Sequence, residues 1–377
     1  IAINNITKGF LENGISVKVI TICTNKHPFQ KEKIHKKFLS QTKMEAVFVD
    51  TEINIVDAFS SLVTSDSYNI SRFFSPDFDR LLRLTLEENT YDIVHLESLF
   101  MTPYLGTIKR FSKAKIVLRS HNLEYMIWER LANSTTNKAK KVYLKILAKQ
   151  LKQYETNVIN DVDGIAAITD EDGDKYQKLG CNKPIITVPF GIEVNQFKTE
   201  SNNSTIDLFH IGSMDWKPNL EGIAWFGESV WPKIQEVFPN LKFNLAGRNM
   251  PDWLLKTNWK NIINNGEVLS AKDFISSHSI MVVPLLSAGG MRIKIIEGMA
   301  LERVIISTSI GAEGIDYQDR ENILIADKKS DFIKQLTWLF EDTSRIKKIG
   351  VNARKLVESK YNNDIINEQL VQFYQSL

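Results

Sequence analysis

The stretch of sequence most suggestive of chemistry is a small-residue loop that enters an apolar helix, at residues 287–300. It follows the β-branched run 280–284. Such a loop offers unpaired backbone N–H groups and the positive end of a helix dipole, which suit a diphosphate. Arg292 and Lys294 add cations in the predicted first turn, where the dipole alone favours acids. Glu297 follows one turn later and can accept hydrogen bonds from sugar or ribose hydroxyls. A glycine-rich turn with a solvated basic edge is the alternative interpretation.

Polar residues at strand ends form a second group of candidates, in the first half of the chain. His121 follows the apolar run 116–118, and Glu97 ends another apolar run. A single histidine is often structural, so His121 can be a catalytic group or a packing residue. Asp161 and Asp163 form an Asp-x-Asp pair. The pair precedes a predicted strand and lies outside every glycine loop, which favours a chance pair of acids over a metal site.

Short β-branched runs alternate with longer amphipathic stretches, a pattern typical of parallel sheets covered by helices. It predicts an α/β fold with two doubly wound, Rossmann-like domains. We expect an N-terminal domain at 1–191, a C-terminal domain at 192–361 after a polar linker near 198–204, and a last segment, 362–377, that can cross back as a helix. The predicted strands are 17–22, 46–49, 93–96, 116–118, 164–169, 185–188, 206–211, 243–246, 262–264, 280–284, 304–308 and 322–325.

Together with the 287–300 run, several glycine loops occur in the order found in family-4 glycosyltransferases, which the chain resembles over nearly its whole length. The loops are at 210–219, 245–248, 265–268 and 311–315. The family has a Glu-x7-Glu element, and Glu297 matches its second acid, whereas Gly289 stands at the first. The chain is similar to a subgroup that reads Gly-Gly-x-Arg-x-Lys-x-x-Glu. The resemblance implies the GT-B fold, with two Rossmann-like domains and the active site in the cleft between them.

The resemblance also implies an activity, namely retaining transfer of a sugar from a nucleotide-diphosphate sugar to a saccharide or lipid-linked acceptor, in bacterial cell-surface polysaccharide synthesis. The resemblance implies no cofactor besides the donor substrate. We also predict no metal, because the cationic side chains and the helix dipole would neutralise the leaving diphosphate. Where the family has Arg and Lys for the diphosphate, Ser213 and Pro218 stand here. The resemblance implies a catalytic role for His121, Arg248 and Lys294 and an acceptor-side role for Glu97. The residues that it implies for donor binding are Gly212, Lys217, Arg248, Val268, Gly289, Gly290, Met291, Arg292, Lys294 and Glu297.

Composition narrows the classes of partner. The formal charge is +2, so no bulk positive field indicates nucleic acid, and no apolar run reaches the length of a membrane span. Two distant cysteines favour a reduced, cytoplasmic setting. The lysine-rich helical stretch 138–152 can rest on an anionic membrane, at its inner face, or present a solvated basic face.

The sequence leaves two alternative functions open, and it raises a question about the start of the chain. A nucleotide-sugar epimerase shares the GT-B architecture but needs no acceptor. A non-catalytic sugar-nucleotide-binding subunit is the other alternative, since the first acid of the family element is absent. Family members open with a strand and a glycine-rich loop, so a chain beginning at Ile1 without methionine is expected to lack that piece.

Overall fold

A computed structural model describes residues 2–51, 68–198, 206–287 and 289–377 of the chain. The chain divides into two compact units. Unit 1 comprises Ile1–Pro189 with Asn367–Leu377, and unit 2 comprises Phe190–Ile366. The linker expected near 198–204 lies, beyond Lys198, outside the described residues. Within the described ranges no helix is long and apolar enough to cross a membrane.

Unit 1 alternates helices with short parallel strands. Short 3₁₀ turns occur at Lys31–Lys33 and Leu99–Tyr104. The elements are α1 (Ala2–Glu12), β1 (Ile20–Cys23), α2 (Lys36–Thr42), β2 (Glu45–Phe48), α3 (Tyr68–Ser71), α4 (Pro76–Glu88), β3 (Ile93–Glu97), α5 (Leu105–Phe111), β4 (Lys115–Ser120), α6 (Glu124–Ser134), α7 (Lys138–Val158), β5 (Gly164–Ala167), α8 (Asp170–Lys178) and β6 (Ile185–Thr187).

The described strands of unit 1 form two parallel sheets. Strands β3, β4, β5 and β6 pair in that order, and β1 pairs with β2 alone. Among the described residues β1 and β3 are not hydrogen-bonded to each other, so these strands form two sheets rather than one. Both sheets nevertheless pack on one apolar core: Ile20 and Val47 of the small sheet contact the cluster that includes Leu118 and Ile165.

Unit 2 repeats the alternation around a larger sheet. A 3₁₀ turn at Val194–Gln196 precedes its strands, and a π-helical turn at Phe226–Val230 joins its first two helices. The elements are β7 (Leu208–Ile211), α9 (Lys217–Trp225), α10 (Trp231–Val237), β8 (Phe243–Ala246), α11 (Asp252–Leu255), β9 (Ile262–Gly266), α12 (Ala271–Ser276), β10 (Ile280–Val283), α13 (Ile293–Ala300), β11 (Val304–Ser307), β12 (Leu324–Ile325), α14 (Lys329–Glu341), α15 (Ser344–Lys360) and α16 (Asn363–Gln375), whose last part belongs to unit 1.

The sheet of unit 2 is parallel, with the order β12-β11-β10-β7-β8-β9. The chain starts at the central strand β7, runs outward to β9, and returns to β10 on the other side of β7. This is the Rossmann order, whose switch point lies between β7 and β10. Four strands of the sheet (β7, β8, β10 and β11) are buried along their whole length, as expected when helices cover both faces. The predicted α/β class with parallel sheets is confirmed, and each predicted strand corresponds to an observed one within about three residues at either end.

Side-chain caps explain where several helices begin. The hydroxyl or amide oxygen of Ser75, Asn137, Thr169 and Ser270 accepts a backbone N–H in the first turn of α4, α7, α8 and α12. Each cap satisfies one of the amide groups that a helix leaves unpaired at its start. Helix α13 differs, because the side chain of its capping residue, Arg292, accepts no hydrogen bond from the helix.

Candidate functional site

Glycine loops meet at the carboxyl edge of the sheet in unit 2. Strand β10 pairs with β7 in parallel, so the loops that follow them lie side by side. The amide of Gly212 donates to the carbonyl of Ala246 (3.2 Å), and that of Gly247 to the carbonyl of Gly266 (2.8 Å). A Cβ added at Gly247 would lie 2.0 Å from the Gly212 carbonyl oxygen. Only glycine allows the loops to approach this closely.

Lys294 connects the two halves of the sheet at this edge. Its ammonium, in the first turn of α13, donates to the carbonyl of Ile211 at the end of β7 (3.2 Å) and to Oδ1 of Asn219 (2.9 Å). Burial and, second, the charge of Arg292 lower the pKa of Lys294 to about 7. An ammonium has three N–H donors, so one donor remains beyond these two bonds. A polyanion at this edge would compensate the unfavourable buried charge.

Arg292 is placed differently from the sequence expectation. It lies one residue before α13 rather than in its first turn, and it is buried. Its guanidinium donates to the carbonyls of Gly289 (2.9 Å) and Ile310 (3.2 Å), and it lies 5.8 Å from the centre of the Trp216 ring. Its main contacts therefore hold two loops together. Its charge still contributes to the positive field at the start of α13.

Glu297 lies on α13, one turn after Lys294, and its carboxylate has no partner among the described residues. Burial raises its pKa, and the side chain makes no hydrogen bond or ion pair with any described residue. The loop before it is compact: Gly290 has a positive φ of 82° and Met291 is buried, while Ala288 lies outside the described residues. With no side-chain cap, the first amides of α13 are available to an anion.

Three further predicted donor residues lie at the same sheet edge with different surroundings. Arg248 follows β8, is exposed, and makes no ion pair within the described parts of the chain. Lys217 is exposed and pairs with Glu221 across one helical turn (3.4 Å). Val268 follows β9 and packs against the core. Of these three residues, Arg248 is therefore the exposed cation without an ion pair among the described residues, whereas Lys217 already has a carboxylate partner.

The two residues predicted in unit 1 contact each other. Glu97 at the end of β3 accepts from Nε2 of His121 (2.7 Å), from Arg119 (3.3 Å) and from Nε2 of His95 (3.1 Å). Burial alone would raise the pKa of Glu97, but the hydrogen bonds with His121 and His95 and the charges of His95 and Arg119 lower it well below its usual range. Glu97 is therefore an anion that orients His121, and its acceptor-side role stays a prediction.

The sequence did not single out several residues of these clusters. Tyr374 of α16 hydrogen-bonds Nδ1 of His95, and Arg119 is almost fully buried within β4. Arg119 interrupts an apolar strand, and the sequence could therefore have indicated a buried ion pair, because a buried charge needs a partner. Nothing local in the sequence indicates the pairing of Tyr374 with a residue 279 positions away.

The acids of the Asp-x-Asp pair have partners within the protein. Asp161 pairs with Lys109 (2.9 Å), and Asp163 accepts the amide of Ile116 (2.8 Å). Both contacts belong to the opposite, amino-terminal side of β4. Across the described ranges, no group of three His, Cys, Asp or Glu side chains is arranged to hold a metal ion.

Comparisons with known proteins identify relatives in sequence and in fold. The chain is similar to an uncharacterized 44.6 kDa protein in the cps region of Klebsiella pneumoniae, at 24% identity over 75% of this chain and 74% of that one. Its fold is similar to sucrose-phosphate synthase from Thermosynechococcus elongatus (TM-score 0.67, 12% identity, 99% and 92% of the chains). It is also similar to Anabaena HepE in complex with UDP (TM-score 0.64, 12% identity, 96% and 100%).

Family profiles cover both units. One described as glycosyl transferases group 1 matches residues 205–342, and one described as Glycosyltransferase Family 4 matches residues 2–196, just over half of the 377-residue chain. The glycosyltransferase resemblance and the GT-B fold are thereby confirmed. The chain belongs to glycosyltransferase family 4.

Proposed function

We propose that the chain transfers a hexose from a nucleotide-diphosphate sugar to a saccharide or lipid-linked acceptor, with retention of anomeric configuration, in cell-surface polysaccharide synthesis. The observation that carries this proposal is the β7–β10 edge, where the buried ammonium of Lys294, the exposed guanidinium of Arg248 and an uncapped helix start lie beside glycine loops. Such a cationic edge fits a diphosphate.

Different residues at this edge bind different parts of the donor. Lys294, Arg248 and the amides of Gly289, Gly290 and Met291 bind the diphosphate, and Arg292 holds the loop that carries those amides. The carboxylate of Glu297 accepts hydrogen bonds from the ribose hydroxyls. Its lack of protein partners supports this role, because a partly buried carboxylate without hydrogen bonds is unfavourable until a ligand supplies them.

During sugar transfer, negative charge develops on the leaving diphosphate. The bond between the sugar C1 and the diphosphate oxygen breaks, and its electron pair stays on the diphosphate. The acceptor oxygen forms the new bond to C1 on the face that the diphosphate leaves, so the configuration is retained, and the acceptor proton passes to the departing diphosphate oxygen. Fixed cations at the diphosphate stabilise the charge that grows there in the transition state. We propose that His121, held by Glu97, is a catalytic residue. The cationic set does this work without a metal.

A transfer assay tests this function. Nucleotide-diphosphate sugars with labelled hexoses, beginning with UDP-glucose because Anabaena HepE is similar in fold and its structures hold UDP-glucose, are incubated with a bacterial lipid extract and EDTA. We expect label in a lipid or saccharide product whose new linkage keeps the anomeric configuration of the donor. An isomerised nucleotide sugar without any acceptor product would indicate an epimerase instead. Binding of donors without any turnover would indicate a non-catalytic subunit.

The cps-region relative supports the choice of acceptor class. That relative is known only by its place in such a region, at 24% identity. The proposal therefore places the acceptor among saccharides or lipid-linked saccharides. Fractions of the lipid extract depleted of lipid-linked saccharides provide the matched control for the assay.

A further inference from the structure

A series of hydrogen bonds leads from the last helix of the protein to His121. The Tyr374 hydroxyl of α16 bonds Nδ1 of His95, and Nε2 of His95 bonds one carboxylate oxygen of Glu97 (3.1 Å). The other oxygen of Glu97 bonds Nε2 of His121 (2.7 Å). All four residues belong to unit 1, although Tyr374 lies 279 positions after His95 in the sequence. The end of the protein therefore contacts the residues that hold His121.

The last turns of α16 pack tightly on unit 1. A Cβ added at Gly164 of β5 would lie 2.8 Å from the ring of Phe373, so glycine is what allows the helix to approach the strand this closely. The next residue, Tyr374, has its ring 5.7 Å from that of Phe10 and 6.0 Å from that of His95, measured between ring centres. These contacts fix the place of the Tyr374 hydroxyl.

The charge of Glu97 determines which nitrogens of the two histidines carry protons. Despite its burial, hydrogen bonds with His121 and His95 keep the pKa of Glu97 well below its usual range, so its oxygens only accept. Each histidine nitrogen that faces Glu97 is therefore protonated. Burial and, second, the charge of Glu97 raise the pKa of Tyr374 well above its usual range, so its hydroxyl keeps its proton. That hydroxyl donates to Nδ1 of His95 and holds the ring in the tautomer protonated at Nε2.

Both oxygens of Glu97 are held in this arrangement. One accepts from His95, and the other accepts from His121 and from Arg119 (3.3 Å). Without the Tyr374 hydroxyl, the His95 proton could move to Nδ1, or Nδ1 could gain a second proton. The first change turns a lone pair toward the carboxylate, and the second adds a charge beside it. Either change alters the position of the carboxylate and so the orientation of the His121 ring.

We propose that Tyr374 is a positioning residue for the catalytic His121 and acts through His95 and Glu97. This role deepens the proposed function and rests on the catalytic role that the function gives His121. The alternative is that Tyr374 only fastens α16 to unit 1. The two roles differ in the part of the side chain that they need, because fastening needs the ring and positioning needs the hydroxyl.

Kinetics of sugar transfer by the full chain separate the two roles, with UDP-glucose or the donor that replaces it in the transfer assay. Tyr374→Phe keeps the ring, and we expect its kcat to fall about tenfold while the KM for the donor changes by less than about twofold. The matched control is Tyr154→Phe, which removes a hydroxyl that bonds Thr102 (2.8 Å) and should leave kcat unchanged. In a His95→Gln background, Tyr374→Phe should lower kcat no further, because the hydroxyl then has no imidazole to hold.

Nitrogen NMR of the full chain with isotope-labelled histidine tests the same role without turnover. We expect the signal of a protonated Nε2 for His121 in the wild type and in Tyr154→Phe. In Tyr374→Phe that signal should shift or broaden, since the carboxylate that it bonds is no longer held on both sides. Thermal melting checks that each variant folds.

The positioning role is overturned if folded Tyr374→Phe turns over as fast as Tyr154→Phe, or if its loss of kcat is the same in the His95→Gln background. It is also overturned if the Nε2 signal of His121 is the same in Tyr374→Phe as in the wild type. A wild type that transfers no sugar from any donor would instead contradict the proposed function. The NMR result then decides by itself whether Tyr374 positions His121.

Discussion

Replacing Lys294 with methionine is expected to stabilise the protein near neutral pH while weakening its affinity for a diphosphate. Methionine keeps the unbranched shape of lysine but carries no charge. In the folded chain, burial and the charge of Arg292 lower the pKa of Lys294 from its ordinary 10.5 to about 7. The unfolded chain has the ordinary value, so between these two pH values the unfolded state binds more protons than the folded state.

The magnitude follows from this difference in pKa. Holding the lysine at a pKa near 7 destabilises the fold by about 4 kcal/mol near pH 7 and by about 2 kcal/mol near pH 9. Stability of the wild type therefore rises with pH across this window. Methionine removes the penalty but also loses the hydrogen bonds to Asn219 and the Ile211 carbonyl, together about 2 kcal/mol. The variant should be about 2 kcal/mol more stable near pH 7 and about equal to wild type near pH 9.

Urea unfolding followed by tryptophan fluorescence measures the effect at both pH values. The control is Lys242→Met, since Lys242 is exposed and lies just before β8, at the amino-terminal edge of the sheet. The control should follow the wild type throughout. A stability difference between Lys294→Met and wild type that is the same at both pH values would refute the reasoning. A lysine that lowers stability at a sheet edge is expected of a binding site rather than of a packing residue.

The remaining predictions concern positions that hold the sites in place. Glu155 is fully buried and accepts two backbone N–H groups at the start of α6, so Glu155→Ala should destabilise the protein by about 2 kcal/mol in chemical unfolding. Burial raises the pKa of Glu155 to about 8, so the wild type should lose stability from pH 4.5 to 8 relative to Glu155→Gln, and a flat difference would contradict this. Glu97→Ala leaves Arg119 buried without its carboxylate and should reduce stability by about 3 to 5 kcal/mol in thermal unfolding. Because the pKa of Glu97 is lowered, its stabilising contribution is complete above about pH 4.5 and is lost as the pH falls, so an acid titration of wild type against Glu97→Gln checks the sign. Gly247→Ala places a Cβ 2.0 Å from the Gly212 carbonyl oxygen and should cost about 1 to 3 kcal/mol, and an unchanged melting temperature would contradict the close approach of the loops.

The strands and the order of the loops could be predicted from the sequence because the underlying signals are local. Runs such as 280–284 and 304–308 are continuously β-branched, and continuous apolar character is what burial on both faces requires. The two sheets of unit 1 could not be predicted, because periodicity identifies strands but not which strands pair. Sheet order depends on contacts between distant residues.

The sequence predicts which helix carries the residues of the candidate site, but it does not predict which atoms their side chains bind. The spacing of Lys294 and Glu297 places both on α13, as found. The commitment of the Arg292 guanidinium to the Gly289 and Ile310 carbonyls was not predictable, because it depends on how the loop after β11 folds back. The pairing of Lys294 with Asn219 likewise joins residues 75 positions apart.

The central claim is that the β7–β10 edge of unit 2 binds a nucleotide-diphosphate sugar, and calorimetric titration tests it most directly. The wild type is titrated with UDP-glucose and then with other nucleotide-diphosphate sugars until one binds, alongside Lys294→Met, Glu297→Ala and the control Lys242→Met. We predict a loss of about 50-fold in affinity for Lys294→Met, about tenfold for Glu297→Ala, and none for the control. Folded Lys294→Met and Glu297→Ala proteins that bind the donor as tightly as wild type would contradict the claim.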